Sequence, residues 1–114
     1  MKIDKFEDII AWQKANILTI NIYKAFSGCK DFSFLNQIER ASISVMNNIA
    51  EGFERQTNKE FKNFLFIAKG SCGEVRSMLS IAENLKYLNE ENTIRLHRQT
   101  VEISRVLSGL IKTL

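Results

Sequence analysis

The absence of proline over 114 residues is the feature that most constrains the fold of this chain. Proline ends helices and interrupts sheets, and glycine, of which there are only five, supplies many tight turns. An all-β fold needs many such turns, so we expect long uninterrupted helices instead. Hydrophobic residues make up 45% of the chain, which is enough for a core. The length predicts a single domain, residues 1–114.

Apolar residues recur at helical spacing in four segments. The first helix is predicted to begin within residues 4–7, where acidic side chains favour a helix N-terminus. It is predicted to end at residues 27–28, where glycine can adopt the left-handed conformation of a helix cap. The second helix is predicted to follow an N-cap at Asp31 or Ser33.

The third helix is predicted to begin after a capping box formed by Thr57 and Glu60, and to run to about Leu88. The next break is expected at Asn89, with residues 92–93 near the start of the fourth helix. Short links place successive helices antiparallel. The predicted fold is therefore all-α, an antiparallel up-down-up-down four-helix bundle.

The second helix carries a polar stripe opposite its apolar seam, formed by Arg40, Ser44, Asn47 and Glu51. One interpretation is a solvated face, with Asn47 and Glu51 paired across one turn. The other is a surface that meets another subunit or a ligand. Gly52 follows the stripe, and glycine in a helix costs roughly 1 kcal/mol relative to alanine. Gly52 either lets another helix approach closely or frays the end of its own helix. Close packing is favoured, because Phe53 continues the apolar seam after it.

The third helix has two apolar stripes, which is more than one bundle face requires. Its second stripe predicts burial against another subunit, or a central place in the bundle. The residues of this second stripe are Ile67, Met78, Ile81 and Leu85.

Glu74 falls within this second stripe, beside Gly70 and Ser71. A buried carboxylate needs a partner, and the candidates are Arg40, Lys14 and Asn48. A structural pairing is favoured over a catalytic role, because the pattern supplies no second acid, histidine or metal ligand. Gly70 and Ser71 are expected to allow close packing, as at Gly52.

The sequence offers little for catalysis. It has one histidine, His97, and two distant cysteines, Cys29 and Cys72, so neither a zinc site nor a catalytic triad is expected. The Glu-x-x-His pattern of di-iron bundles is absent. We expect no enzyme activity, cofactor or metal. The acidic N-terminus, the lack of a long apolar run and the two reduced thiols predict a cytoplasmic protein without a signal peptide or membrane span.

Several motifs along the chain carry a family resemblance. They are Phe6-Glu7-Asp8-Ile9, Trp12-Gln13-Lys14, Gln37 to Ser44, Asn48 to Phe53 with Arg55, Ala68 to Ser71 followed by Glu74, and Leu85 to Leu88. Through them the chain resembles the four-helix-bundle family encoded in intervening sequences of bacterial 23S ribosomal RNA genes. That family is similar to the accessory protein of diversity-generating retroelements.

The resemblance implies a ring-shaped homopentamer with no established enzymatic activity. For the retroelement relatives it implies binding to nucleic acid and to a reverse transcriptase through basic surface. The candidate nucleic-acid residues here are Arg95, Arg98, Arg105 and Lys112 on the fourth helix, with Arg40 and Arg55 on the second. The candidate structural or interface motif is Asn48, Glu51, Gly52, Gly70, Ser71 and Glu74.

The formal net charge of +3 is weakly basic, so one chain alone has only a modest attraction for nucleic acid. Repetition of that charge around a ring would multiply the attraction. The first functional hypothesis is therefore an oligomer that binds RNA or DNA. The alternative is a protein interaction scaffold with no affinity for nucleic acid.

Overall fold

The computed structural model describes residues 2–114, and it is entirely helical in its regular structure. Met1, the first residue of the predicted 1–114 domain, lies outside the described residues. Short connections join the helices. In chain order the elements are a 3₁₀ helix at Phe6–Asp8, α1 at Ile10–Ala25, α2 at Phe32–Phe53, α3 at Asn58–Asn84 and α4 at Glu90–Lys112.

Three side chains cap the N-termini of α2, α3 and α4. Asp31 Oδ1 accepts from the Phe34 amide at 3.1 Å, which confirms Asp31 as the cap of α2. Thr57 Oγ1 accepts from the Glu60 amide and donates to Glu60 Oε1, each at 3.1 Å. Thr57 is thus the predicted N-cap, and the Glu60 carboxylate accepts from the Thr57 hydroxyl instead of from the Thr57 amide as a full capping box requires. Asn89 caps α4. These bonds satisfy amides that have no partner within the helix.

The first helix begins later than the sequence predicts. Residues 6–8 form a separate 3₁₀ turn, and Ile9 is extended with φ −75° and ψ 122°. This extended residue places its side chain in the core, where it is 3% exposed. At the other end α1 stops at Ala25. No glycine among residues 2–114 has a positive φ, so the left-handed cap predicted at Gly28 is wrong.

The third helix ends at Asn84, and its predicted extension to Leu88 is wrong. Lys86 adopts a left-handed φ of 61°. Its amide donates to Glu83 O at 3.0 Å, and the Tyr87 amide donates to Ala82 O at 2.8 Å. These two bonds form a Schellman motif, which usually places glycine at the left-handed position. Without a glycine at this position, the sequence lacks the usual stop signal.

Contacts between helices run in opposite chain directions, so neighbouring helices are antiparallel. A higher residue number on one helix meets a lower number on the next. The pairs are Phe26 with Phe34 and Thr19 with Ser42 for α1 and α2, Gln37 with Glu74 and Ser44 with Ser71 for α2 and α3, and Lys14 with Glu102 and Asn21 with Gln99 for α1 and α4.

Since α1 is antiparallel to both α2 and α4, and α3 is antiparallel to α2, α3 and α4 are antiparallel as well. Within the described chain α2 and α4 make no contact, so they are diagonal in the bundle. The predicted up-down-up-down four-helix bundle is therefore the observed fold.

The core is one continuous cluster along the bundle axis. The apolar seam of α2 is fully covered, since Ile38, Val45 and Ile49 are 0% exposed. Ser42 within this seam is also 0% exposed, and its hydroxyl donates to Glu39 O at 2.9 Å. Throughout residues 2–114, every buried side-chain nitrogen or oxygen has a hydrogen-bond partner. Burial of these polar atoms is therefore compensated by hydrogen bonds.

The second apolar stripe of α3 is left uncovered by the single chain. Ile67, Ile81 and Leu85 are each about half exposed, at 52%, 50% and 49%. The stripe lies on the side of α3 toward α2, at the surface. A central place for α3 in the bundle is thus excluded, and burial against another subunit stays a prediction.

Tyr87 ties the start of α2 to the loop that follows α3. Its hydroxyl donates to Asp31 Oδ2 at 2.7 Å, and its ring packs edge-on against Phe34 with centroids 5.3 Å apart. The hydrogen bond from Tyr87, together with that from the Phe34 amide, lowers the pKa of Asp31 below its ordinary 3.8. The same bond to Asp31 raises the pKa of Tyr87.

The lowered pKa of Asp31 predicts a pH-dependent contribution to stability. A carboxyl whose pKa is lowered by folding stabilises the fold above its ordinary pKa, and this contribution is lost as the pH falls through the lowered pKa. Tyr87→Phe removes the largest cause. We expect the free energy of unfolding of Tyr87→Phe, measured with urea, to fall less than that of wild type as the pH drops from about 5 to about 2. Tyr23→Phe, at an exposed site, is the control and should follow wild type. Parallel pH profiles for wild type and Tyr87→Phe would contradict the assignment.

Candidate functional site: a packed seam and a basic groove

Gly52 lies at a close approach between α2 and α3. A Cβ added to Gly52 would lie 2.5 Å from the Cβ of Phe64 and 3.1 Å from Cδ1 of Phe61. Neither position leaves room for a methyl group without movement of the α3 side. The structure therefore shows the close helix approach that the sequence predicts at this glycine.

A polar cluster continues the same seam toward the middle of the helices. Ser44 Oγ and Ser71 Oγ are 2.9 Å apart across α2 and α3. Asn48 Nδ2 donates to Ser44 O at 2.8 Å and to Ser44 Oγ at 2.9 Å. All three side chains are half-buried, where hydrogen bonds offset the loss of water. We call Ser44, Asn48, Gly52, Phe64 and Ser71 the motif seam.

The remaining motif residues lie at the surface beside the motif seam. Glu74 is exposed, and its carboxylate accepts from Gln37 Nε2 at 3.3 Å. The prediction that Glu74 is buried and held by Arg40, Lys14 or Asn48 is wrong for the single chain. The error arose from reading the second apolar stripe as covered. Gly70 has no atom within 4 Å of an added Cβ, so the close packing expected there does not form within residues 2–114.

The polar stripe of α2 is only partly a solvated face. Arg40, Asn47 and Glu51 are exposed, whereas Ser44 belongs to the motif seam. Glu51 pairs with Arg55 at 3.1 Å, not with Asn47 as one interpretation held. The Arg55 guanidinium also lies 4.8 Å from the centre of the Phe64 ring. Arg55 is therefore engaged locally.

The six candidate arginines and lysines fall on two diagonal helices and on one link. Arg40 is on α2, which is not a neighbour of α4, and Arg55 lies in the link that follows α2. Arg55 lines a depression with Leu110 and Thr113 at the end of α4. The α4 candidates are all exposed. Arg95 is held by Asn92 at 3.2 Å, near the start of α4. Arg98, Arg105 and Lys112 are seven residues apart, so they line one face. The structure thus separates a row of three from the other three.

A second row of cations on α3 was missed by the sequence reasoning. Lys69 and Arg76 line a depression of about 150 Å³ between α3 and α4, together with Cys72, Gly73, Thr100 and Ser104. Lys62 lies seven residues before Lys69 and so extends the row along the same face. The heptad spacing was visible in the sequence. The proximity of this row to α4 was not.

We call Lys62, Lys69 and Arg76 on α3, together with Ser104 on the facing side of α4, the basic groove. The α4 row of Arg98, Arg105 and Lys112 lies on the outward face of its helix, and Arg98 lines a separate depression with Glu90 and Glu91. Among residues 2–114, none of the three cations of the basic groove is in an ion pair. No carboxylate lines the depression at its centre. The groove can therefore attract anions more strongly than the net charge suggests.

Cys72 lines the bottom of this depression, and its thiol has low reactivity. Burial raises the pKa of its thiol to about 11, although the neighbouring Arg76 guanidinium acts in the opposite direction. The thiol is 1% exposed and donates to Thr100 O at 3.2 Å. A thiol that stays protonated at neutral pH is a poor nucleophile. The groove is thus suited to binding, not to covalent chemistry.

The described residues offer no metal centre and no membrane segment. In residues 2–114 no three histidine, cysteine, aspartate or glutamate side chains are grouped to hold a metal ion. Within the same range, every helix falls short of the length and apolarity that crossing a bilayer requires.

The geometry defines an all-α four-helix-bundle protein with a packed motif seam and a basic groove. The family model described as 23S rRNA-intervening sequence protein matches residues 7–109. The chain therefore belongs to that family. Neither this description nor that of a similar solved structure names an enzymatic activity.

That solved structure is a crystal structure of a protein with unknown function from the S23 ribosomal protein family of Bacteroides thetaiotaomicron VPI-5482. The two folds agree with a TM-score of 0.85 at 26% sequence identity, over 90% of this chain and 99% of that chain. The comparison with curated proteins gives no match.

The close approach at Gly52 predicts a large difference between two glycines. Gly52→Ala forces α2 and α3 apart, so we expect it to lower the free energy of unfolding by about 1–3 kcal/mol. Gly109→Ala, on the exposed face of α4, meets open space and gains helix propensity, so it should be neutral or stabilising by up to about 1 kcal/mol. Denaturant unfolding of both variants measures the difference. Equal effects of the two substitutions would show that Gly52 is not a packing constraint.

Proposed function

We propose that this chain is a non-enzymatic protein that binds the phosphates of RNA or DNA through the basic groove. The observation that carries the proposal is the depression between α3 and α4, where Lys69 and Arg76 stand beside Ser104 with no carboxylate. Cations and hydroxyls are the groups that most often contact the nucleic-acid backbone. Such contacts do not read sequence, so we propose non-specific binding.

The other sequence candidates contribute less to this surface. Arg40 is on α2, the helix diagonal to α4, and Arg55 lies in the link that follows α2. Arg55 is already paired with Glu51. Arg95 is held by Asn92 and lies near Glu90 and Glu91. Arg98 lines a depression with the same two glutamates, and Arg105 and Lys112 continue its outward face of α4. We therefore assign the phosphate contacts to Lys62, Lys69 and Arg76 of the basic groove.

Neutralisation of the groove tests the proposal. We expect the double variant Lys69→Gln and Arg76→Gln to weaken binding of a labelled RNA or DNA in fluorescence anisotropy. Each lost phosphate contact should also reduce the slope of log affinity against log salt by about 0.7–0.9. The matched control, Lys5→Gln with Lys24→Gln, removes the same charge elsewhere and should leave the slope near that of wild type. No retention of RNA or DNA by wild type at low salt would overturn the proposal.

We also propose that the protein is a homo-oligomer, a pentamer as the family resemblance implies. The support is the second apolar stripe of α3, which one chain leaves half exposed at Ile67, Ile81 and Leu85. The open space at Gly70 lies within the same stripe and allows close approach by a second chain. A ring would repeat the basic groove and so strengthen binding by multivalency.

The solution mass tests the assembly. Sedimentation should give about five times the 13.1 kDa mass of the chain. Ile81→Glu places a charge on the second apolar stripe and should lower the mass, since burial of an unpaired charge is costly. Ile94→Glu, on exposed α4 surface, is the control and should keep the wild-type mass. A monomeric wild type would refute the oligomer.

A second candidate function is a protein interaction scaffold. Ile10 and Ile17 on α1 favour it, because they lie one heptad apart and are each 53% exposed. A reverse transcriptase, as the resemblance implies for the retroelement relatives, would be a partner of this kind. This function becomes the leading one if the RNA and DNA retention test fails. We place either activity in the cytoplasm, since Cys29 and Cys72 are both free thiols.

A further inference from the structure

Phe66 is an exposed aromatic residue within the α3 row of the basic groove. Its side chain is 55% exposed. It follows Lys62 by four residues and precedes Lys69 by three, and such spacings make side chains neighbours on a helix surface. An aromatic ring thus stands between two cations. Single exposed apolar residues are normal on protein surfaces. The position of Phe66 between two cations of the same row is the feature that suggests a function.

Phe66 does not belong to the second apolar stripe. Successive residues on a helix are about 100° apart, so Phe66 and Ile67 point to different sides of α3. Ile67 lies toward α2, where Ser71 meets Ser44. Phe66 lies toward the side where Lys69 and Arg76 face α4. The ring therefore lies beside the cations of the basic groove, with Gly70 of the second apolar stripe one helical turn away.

A groove with both cations and an exposed ring matches the chemistry of single-stranded nucleic acid. Single strands expose the flat faces of their bases, and an aromatic side chain can stack on any of the four. In a duplex those faces are covered by neighbouring base pairs, and only phosphates and groove edges are accessible. Phe66 would therefore add affinity for single strands and nothing for duplexes.

We propose that the basic groove prefers single-stranded nucleic acid, with Phe66 as the platform on which one base stacks. This inference rests on the proposed function. Lys69 and Arg76 contact backbone phosphates at the depression, and Ser104 lines the same depression. Gly73 also lines this depression. A Cβ added to Gly73 would meet no atom within 4 Å, so the depression is open to solvent at this point.

The test compares three ligands of about 12 nucleotides, a length within the range of single-strand binding sites. They are a single-stranded RNA, the single-stranded DNA of the same sequence, and the duplex DNA. Affinities are measured by fluorescence anisotropy for wild type, Phe66→Ala and Phe32→Ala. Phe32 is the matched control, because it is also an exposed phenylalanine, at 66%, but lies at the start of α2.

We expect Phe66→Ala to weaken both single strands by about fivefold or more, the effect of losing one stacked base, and to change duplex binding by less than about twofold. Phe32→Ala should leave all three affinities unchanged. Equal weakening of single strands and duplex, or no weakening, would overturn the role of Phe66. So would a loss of oligomer mass in Phe66→Ala, since the ring would then support assembly.

The two proposals fail in different ways. In one case wild type binds, the double variant Lys69→Gln and Arg76→Gln loses affinity for every ligand, and Phe66→Ala loses none. That result would support binding by the basic groove and contradict the single-strand preference. If wild type retains none of the three ligands at low salt, the proposed function itself falls, and the preference with it.

Discussion

The close approach of α2 and α3 at Gly52 is the constraint on which the rest of the structure depends. With no side chain at this position, the end of α2 rests directly against Phe64 and Phe61. That contact, continued by the Ser44 and Ser71 hydroxyls, fixes how the two helices are aligned. Two helices packed in a fixed alignment present fixed outer faces. The positions of the second apolar stripe and the basic groove both follow from this.

The third helix carries both of the surfaces to which functions are proposed, in addition to its core face. Its core face is filled by small and branched apolar residues, from Leu65 to Ala82. Toward α2 it carries the exposed second apolar stripe, and toward α4 it carries three cations and Phe66. The helix is 27 residues long and contains no proline, so each of these three faces extends over several turns. Assembly and nucleic-acid binding are therefore proposed for two different faces of the same helix.

The sequence predicted the fold well and the site only in part. Helical periodicity and the caps at Asp31 and Thr57 were local signals, which is why they were reliable. The end of α3 was missed because Lys86 takes a conformation that glycine usually marks. Glu74 was misplaced because an apolar stripe does not reveal whether anything covers it. The α3 row of the basic groove was missed because a heptad of lysines and arginine, viewed alone, is typical of an ordinary solvated face.

The sequence by itself determined that the chain is all-α, that it forms four helices, and which face of each helix is apolar. These properties depend on residues a few positions apart, whose interactions are set by backbone geometry. Only the tertiary structure decided that Gly52 meets Phe64, that Glu74 stays at the surface, and that Lys69 and Arg76 of α3 face Ser104 of α4. Those relations join residues that are distant in the chain, and they exist only once the helices pack.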